Sequence, residues 1–249
     1  MSERQRIALV TGASSGIGEA TVRALAAAGL DTISAARRLE RLEALAEEVG
    51  GRALRLDVAD PDSVEALAAQ VEDVDVIVHS AGGALGLEPI GDANEDRWRE
   101  MWESNVAGVM RVTKALLPAL RRGRDPQIVI IGSIAGVEVY EGGGGYTAAK
   151  HAVHALAQTL RLELLADGIR VTEVAPGMVD TEFSLVRFDG DAERAAGVYD
   201  GLEPLTGDDV AEAITFCVTR PAHVDVDYLA IKPVQQATAK IAHRTPTGE

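Results

Sequence analysis

The sequence predicts a doubly wound α/β fold, a single domain on a seven-stranded parallel sheet, and three observations lead there. Short β-rich apolar runs alternate with longer segments of helical spacing along the chain. That order gives parallel strands joined by right-handed crossovers, with helices on both faces of the sheet. The run Ile128-Val129-Ile130-Ile131 is apolar at successive positions, as a central strand covered on both faces requires. A glycine-rich turn, Thr11 to Gly18, stands between the first apolar run and the first helical segment.

Taken in order, strands are expected at 7–12, 31–36, 52–57, 75–80, 127–133, 169–175 and 226–231. Helices are expected near 16–29, 39–50, 61–72, 94–122, 146–166 and 207–219. No internal repeat, low-complexity tract or domain-scale linker interrupts them, so residues 1–232 read as one catalytic-sized unit. Within it, residues 177–206 carry Gly, Asp and Pro over a stretch too long for an ordinary strand-to-helix connection, and loops of that length act as lids or binding loops. Residues 233–249 form a polar tail, disordered by default for a terminus or packed on a neighbouring subunit.

Composition bounds the function. Nearly half the residues are apolar, yet no uninterrupted apolar stretch approaches a membrane span. Residues 1–6 run straight into the first strand, which leaves no room for a signal peptide and points to a cytoplasmic protein. A single cysteine, Cys217, excludes an internal disulfide framework and any metal site needing several thiolates, and no metal is expected. The formal charge of −15 argues against a nucleic-acid or anionic-membrane partner. A small molecule remains as the expected partner.

The turn Thr11-Gly12-Ala13-Ser14-Ser15-Gly16-Ile17-Gly18 has the spacing G-x-x-x-G-x-G between a strand and a helix. Glycines allow the sharp turn and close approach of a ligand to the main chain. The helix after the turn directs unpaired N–H groups and its positive end at an anion. Gly12, Ser14, Ser15, Gly16, Ile17 and Gly18 are therefore phosphate-binding candidates. The second strand ends Ala35-Ala36-Arg37-Arg38 with no acid. At that place an acid binds the free 2′-hydroxyl of NAD, and arginine accommodates the 2′-phosphate of NADP. Arg37 and Arg38 favour NADP, the other reading being solvated residues that open the next helix. Asp57 and Val58 end the third strand, where they could line the adenine; Asp57 suits a helix cap or turn equally well.

Tyr146 and Lys150 lie four residues apart on one face of a predicted helix. A cation near a phenol depresses its pKa, which suits proton transfer. The pair comes thirteen residues after Ser133, and Ser133 ends the central strand, outside whose carboxyl end a ligand of an open α/β sheet sits. The glycine run 142–145 lets the intervening loop fold tightly. Singly, a surface pair, a turn serine and a loose loop would explain these residues, and together they point to a catalytic site.

On these residues the chain resembles the short-chain dehydrogenase/reductase family over nearly its full length, with its Rossmann-type fold. The resemblance implies that Tyr146 is the acid/base on the substrate oxygen and that Ser133 orients that oxygen. It implies that Lys150 holds the nicotinamide ribose and favours the tyrosinate, and that Asn105 anchors a water linking Lys150 to solvent. Pro176, Gly177, Val179 and Thr181 would lie beside the nicotinamide. Where most relatives carry Asn-Ala-Gly, this chain has Ser80, Ala81 and Gly82 after His79, so the small residues still permit cofactor approach while local hydrogen bonding changes. His79 reads as a strand-end histidine.

The segments 181–188, 221–224 and 232–235, with 85–89, further resemble NADP-dependent 3-hydroxy acid dehydrogenases, which also oxidise serine and allo-threonine, and clavulanic-acid-type aldehyde reductases. The resemblance implies NADP(H)-dependent hydride transfer on a small hydroxy acid or its carbonyl form. The loop from Glu182 to Pro204 carries Arg187 and Arg194 in an otherwise acidic chain. A guanidinium fork can grip a carboxylate, so Arg187, nearer the 176–181 segment, is the expected clamp and Arg194 the second candidate. A surface position for Arg187, or a pairing with Asp189 or Asp191, is the competing reading. An aldehyde or ketone reductase of specialised metabolism and a non-catalytic NADP sensor are the alternatives, the latter opposed by the intact Ser133, Tyr146 and Lys150. The resemblance also implies a homotetramer built through the 94–122 and 146–166 helices; Trp98 and Trp102 suit that interface or the core.

Overall fold

A computed structural model describes residues 4–245. Seven parallel strands, β1 (Ile7–Thr11), β2 (Asp31–Ala36), β3 (Arg52–Arg55), β4 (Val76–His79), β5 (Gln127–Ile131), β6 (Arg170–Pro176) and β7 (Tyr228–Ile231), lie in the order β3-β2-β1-β4-β5-β6-β7. The order reverses between β1 and β4, which opens a crevice at the carboxyl edge between them. Side chains alternate across β1. Leu9 joins Ile77, Ile128, Val112, Leu116 and Val153 on one face, while Ala8 and Val10 join Val22, Leu25, Val129 and Ile214 on the other. Both faces are dry, which is why the strands read as continuous apolar runs.

The helices begin and end where local chemistry dictates. Helix α1 (Gly16–Ala27) comes directly after the glycine turn, and α2 (Leu39–Val49) stops at Gly50 in the left-handed conformation, φ 72°. Asp60 caps α3 (Pro61–Ala68), with Pro61 in its first turn. Asn94 caps α4 (Glu95–Trp102) through the N–H groups of Asp96 and Arg97. The sequence predicts one helix over 94–122. The structure divides it with a π-helical turn at Glu103–Ala107 before α5 (Gly108–Leu120), and such turns are frequent at functional sites. Helix α6 (Gly144–Glu163) carries Tyr146 and Lys150.

Two segments hold more order than the sequence reveals. Residues 177–206 contain the short helices α7 (Glu182–Arg187) and α8 (Ala192–Gly197) before α9 (Gly207–Val218), which starts with a Thr206–Asp209 capping box. The tail, as far as Thr245, folds onto its own chain. Gln236 accepts from the N–H of Met178, Arg244 donates to the carbonyls of Val198 and Asp200, and Thr245 N–H donates to Gly201. Polar side chains bonded to backbone, and not an apolar stripe, hold the tail, so hydropathy gives no sign of it. Residues 246–249 of that tail lie outside the described residues.

Candidate active site

The glycine turn sits at the β1 exit. Gly12 and Gly16 have φ of 67° and 54°, and a Cβ on Gly12 would stand 2.7 Å from the carbonyl oxygen of Ser80. A Cβ on Gly18 would strike the Gly12 carbonyl. The floor of the turn is therefore bare backbone packed against the β4 exit. Ser15 precedes α1 without capping it through its side chain, which leaves the first helical N–H groups for an anion. These features fit the phosphates of a dinucleotide. Ala13 and Ile17 lie in the packing below the turn. Thr11 Oγ1 accepts from the N–H groups of Ser80 and Ala81, both 3.1 Å, so the β4 exit is held by β1 and the Ser80 side chain is not needed for it.

The two arginines part company. Arg38 donates Nε to Ser14 Oγ at 3.1 Å and Nη2 to Ser15 Oγ at 2.7 Å, which places its guanidinium directly over the turn. Arg37 is exposed, and its side chain makes no hydrogen bond or ion pair with the described residues. Asp57 Oδ1 accepts from Ala59 N–H, the turn role that the sequence left open. Val58 is buried and packs on Gly108.

Asn105 lies in the π-helical turn, 2 % exposed. Its Nδ2 donates to the carbonyls of Gly83 (2.9 Å) and Met101 (2.7 Å), and its Oδ1 accepts from Gly83 N–H. Gly82, at φ 154°, passes so close that a Cβ would stand 2.5 Å from Oδ1. In this structure Asn105 ties the segment after β4 to the helix.

Ser133 lies just past β5, and its Oγ accepts from Ala135 N–H at 3.1 Å. Tyr146 faces it from the first turn of α6. Burial pushes the phenol's pKa well up; Ser133 opposes this, Tyr140 adds to it, and Arg187 opposes it. The buried Lys150 ammonium lies 5.8 Å from the centroid of the Tyr146 ring and donates to the carbonyl of Ile131 at 2.8 Å. Burial lowers its pKa to about 8, with Glu173 acting in the other direction. Two cations thus stand at equal distance from the Tyr146 ring, Lys150 and Arg187, each 5.8 Å from its centroid, where the sequence pointed to Lys150 alone. His79 is buried in β4 with Nε2 2.9 Å from Thr113 Oγ1, and burial lowers its pKa to about 3. It is a neutral core histidine at ordinary pH.

Above this group stands the loop after β6. Pro176 ends the strand, a Cβ on Gly177 would meet the side chains of Gln236 and Lys232, and Val179 bridges to Leu205. Thr181 caps α7, and a Cβ on Gly16 would lie 3.1 Å from its side chain. Phe183 meets the Tyr146 ring edge-on at 5.5 Å. Arg187 donates Nε to the Gly86 carbonyl and Nη2 to Tyr140 OH, both 3.0 Å, with its guanidinium carbon 5.8 Å from the Tyr146 centroid. It pairs with neither Asp189 nor Asp191: Asp189 takes Arg97, and Asp191 caps α8. Arg194 lies over Phe188, 4.4 Å from its centroid. Trp98 packs on Gly144 and Gly145, while Trp102 is half exposed. The sequence reading missed Tyr140 and Phe183; neither has a periodic neighbour to mark it, and only the fold brings them to Tyr146.

Among the described residues, no group of three or more His, Cys, Asp or Glu side chains is placed to hold a metal ion, and no helix is long and apolar enough to cross a membrane. A family model described as short chain dehydrogenase matches residues 6–190. An oxidoreductase of Mycobacterium tuberculosis is 57 % identical over 236 residues, covering 95 % of this chain and 94 % of that one. The NADP-dependent 3-hydroxy acid dehydrogenase of Salmonella typhimurium is 40 % identical over 247 residues, covering 96 % and 100 %. Among solved structures, the closed form of serine dehydrogenase complexed with NADP+ superposes with a TM-score of 0.90 at 38 % identity, covering 96 % and 100 %.

Proposed function

This chain belongs to the short-chain dehydrogenase family, and we propose that it is an NADP(H)-dependent oxidoreductase that interconverts a small hydroxy acid and its carbonyl form. Two similar proteins support the substrate class: one is named for 3-hydroxy acids and the other for serine, and both substrates carry a carboxylate. The observation that carries the reading is Arg187. In a chain with 39 acidic residues against 24 basic ones, its guanidinium has no carboxylate partner among the described residues. It makes two hydrogen bonds to uncharged oxygens and lies on the catalytic tyrosine. A guanidinium presents a planar fork suited to a carboxylate.

Each residue then has a task. NADP(H), when bound, supplies or accepts the hydride. Tyr146 gives its phenolic proton to the carbonyl oxygen in reduction and takes the hydroxyl proton in oxidation; burial keeps it protonated and suited to the first of these. Ser133 Oγ holds the same substrate oxygen. Lys150 fixes the cofactor ribose beneath Tyr146, and Arg187 anchors the acid group so that the reacting carbon is aligned. Gly12 to Gly18, Arg38, the 80–82 segment and Pro176 to Thr181 hold the dinucleotide. The assembly proposed is a homotetramer through α4, α5 and α6, on which Trp102, Met110 and Leu162 are 49 %, 45 % and 78 % exposed; light scattering of the purified protein tests it.

The test of function is a screen with NADP+ that tracks NADPH absorbance and compares small 3-hydroxy acids with their methyl esters. Turnover of the acids in preference to the esters is expected. Preference for the esters would overturn the acid reading in favour of a neutral aldehyde or ketone substrate.

A further inference from the structure

Glu182 opens helix α7, and its two carboxylate oxygens are divided between two arginines. Oε2 accepts from Arg38 Nη1 and Oε1 from Arg41 Nη1, both at 2.8 Å. Arg38 is the residue held over the glycine turn by Ser14 and Ser15. Arg41 stands one helical turn further along α2. Together they form a two-guanidinium seat at the end of β2, where a 2′-phosphate is received in this fold. The anion in that seat is a carboxylate of the chain itself, reaching in from the loop that covers the site.

We propose that Glu182 is an internal competitor for the 2′-phosphate: it fills the Arg38–Arg41 seat and is displaced when the phosphorylated cofactor binds. The inference rests on the reading of NADP as cofactor. Two anions cannot share one pair of guanidinium forks without repulsion, so phosphate binding requires the carboxylate to leave. Arg38 does not depend on Glu182 for its position, because Ser14 and Ser15 already hold it. The Arg38 and Arg41 pairs are surface pairs, with Arg38, Arg41 and Glu182 side chains 43 %, 53 % and 39 % exposed. Pairs of that kind are weak, so a phosphate dianion can displace the carboxylate.

Helix α7 also reaches the substrate site. Glu182, Phe183 and Arg187 lie on one helix of six residues. The first holds the arginines, the second meets the Tyr146 ring edge and the third lies on its face. Release of Glu182 removes the tie between this helix and the arginines, while Phe183 and Arg187 already stand over Tyr146 with the tie in place. A cofactor without the phosphate leaves the Glu182 tie intact.

The experiment uses calorimetry on the full chain with adenosine 2′,5′-bisphosphate and adenosine 5′-monophosphate, which differ only in the 2′-phosphate. Wild type, Glu182→Gln and Glu182→Ala are compared. Displacement predicts that both variants bind the 2′,5′-bisphosphate about two- to fivefold more tightly, with binding of the 5′-monophosphate unchanged. Unchanged or weaker binding of the 2′,5′-bisphosphate would overturn the proposal and make Glu182 a support for the arginines. Equal tightening of both nucleotides would also overturn it, as that is only the removal of a negative charge. If wild type fails to distinguish the two nucleotides, the NADP reading fails instead, and the variants play no part in that result.

Discussion

Arg187 stands over the Tyr146 ring, 5.8 Å from its centroid, while donating to Tyr140, so one guanidinium faces both the proposed acid/base residue and the loop that precedes its helix. The contact joins two parts of the chain that sequence keeps apart, the loop after β6 and the start of α6. It also sets the local electrostatics. Tyr146 is buried enough to resist ionisation, and Arg187 and Ser133 are the groups that relieve it.

Replacing Arg187 by Ala is therefore expected to do two separable things. The preference for acids over their esters should vanish, with kcat/KM for the acid falling by about ten- to a hundredfold, as for loss of a charge-assisted hydrogen bond. The pH at which alcohol oxidation becomes efficient should also rise, because the phenolate loses a neighbouring cation. Steady-state kinetics across pH checks both. Retained acid preference in the variant would remove Arg187 as the clamp.

Tyr146→Phe keeps the ring against Phe183 and Arg187 but removes the transferable proton. Turnover should fall by about 10²–10⁴-fold, with NADPH affinity by fluorescence titration nearly unchanged. Lys150→Ala should damage both, because the ammonium is assigned to the ribose as well as to the floor of the site at Ile131. A Tyr146→Phe enzyme that kept most of its activity would overturn the catalytic assignment.

The sheet was legible because parallel strands buried on both faces leave continuous apolar runs. The strands expected at 31–36 and 127–133 are found at Asp31–Ala36 and Gln127–Ile131. The glycine turn was legible because only glycine tolerates its backbone. Three things were not. The π-helical turn around Asn105 leaves helical periodicity nearly intact, so nothing in 94–122 announces it. The tail is held by side chain to backbone hydrogen bonds from Gln235, Gln236 and Arg244, which carry no hydropathy signal. Which of two adjacent arginines turns toward Ser14 depends on the direction in which the chain leaves β2, and composition does not encode that direction.

His79 provides a test of stability against pH. Its folded pKa is lowered by burial to about 3 from an ordinary 6.5. Between those values the unfolded chain binds a proton that the folded chain refuses, so stability falls as pH is lowered through the window, by about 1.4 kcal/mol per unit. His79→Gln keeps a polar partner for Thr113 and removes the titration. Denaturant unfolding at a series of pH values should show the variant less stable at pH 7, with the difference shrinking or reversing toward pH 4. A constant difference across that range would mean that His79 titrates normally.

Cofactor choice separates Arg37 from Arg38. Only Arg38 is held over the turn, by Ser14 and Ser15, and only Arg38 shares an anion with Arg41. Each charge-assisted hydrogen bond to a phosphate is worth about 1.5–3 kcal/mol. Arg38→Ala should therefore weaken NADPH binding by about ten- to a hundredfold and leave NADH binding little changed, apart from what the loss of the Ser14 and Ser15 contacts does to the turn. Arg37→Ala should have a much smaller effect, because its side chain makes no contact that would place it in the seat. Calorimetry with NADPH and NADH on both variants checks the order. If Arg37→Ala proves as damaging as Arg38→Ala, the exposed Arg37 swings in when the phosphate arrives, and the seat is built from three guanidinium groups. If neither variant narrows the gap between the two cofactors, the end of β2 is not where the 2′-phosphate is read.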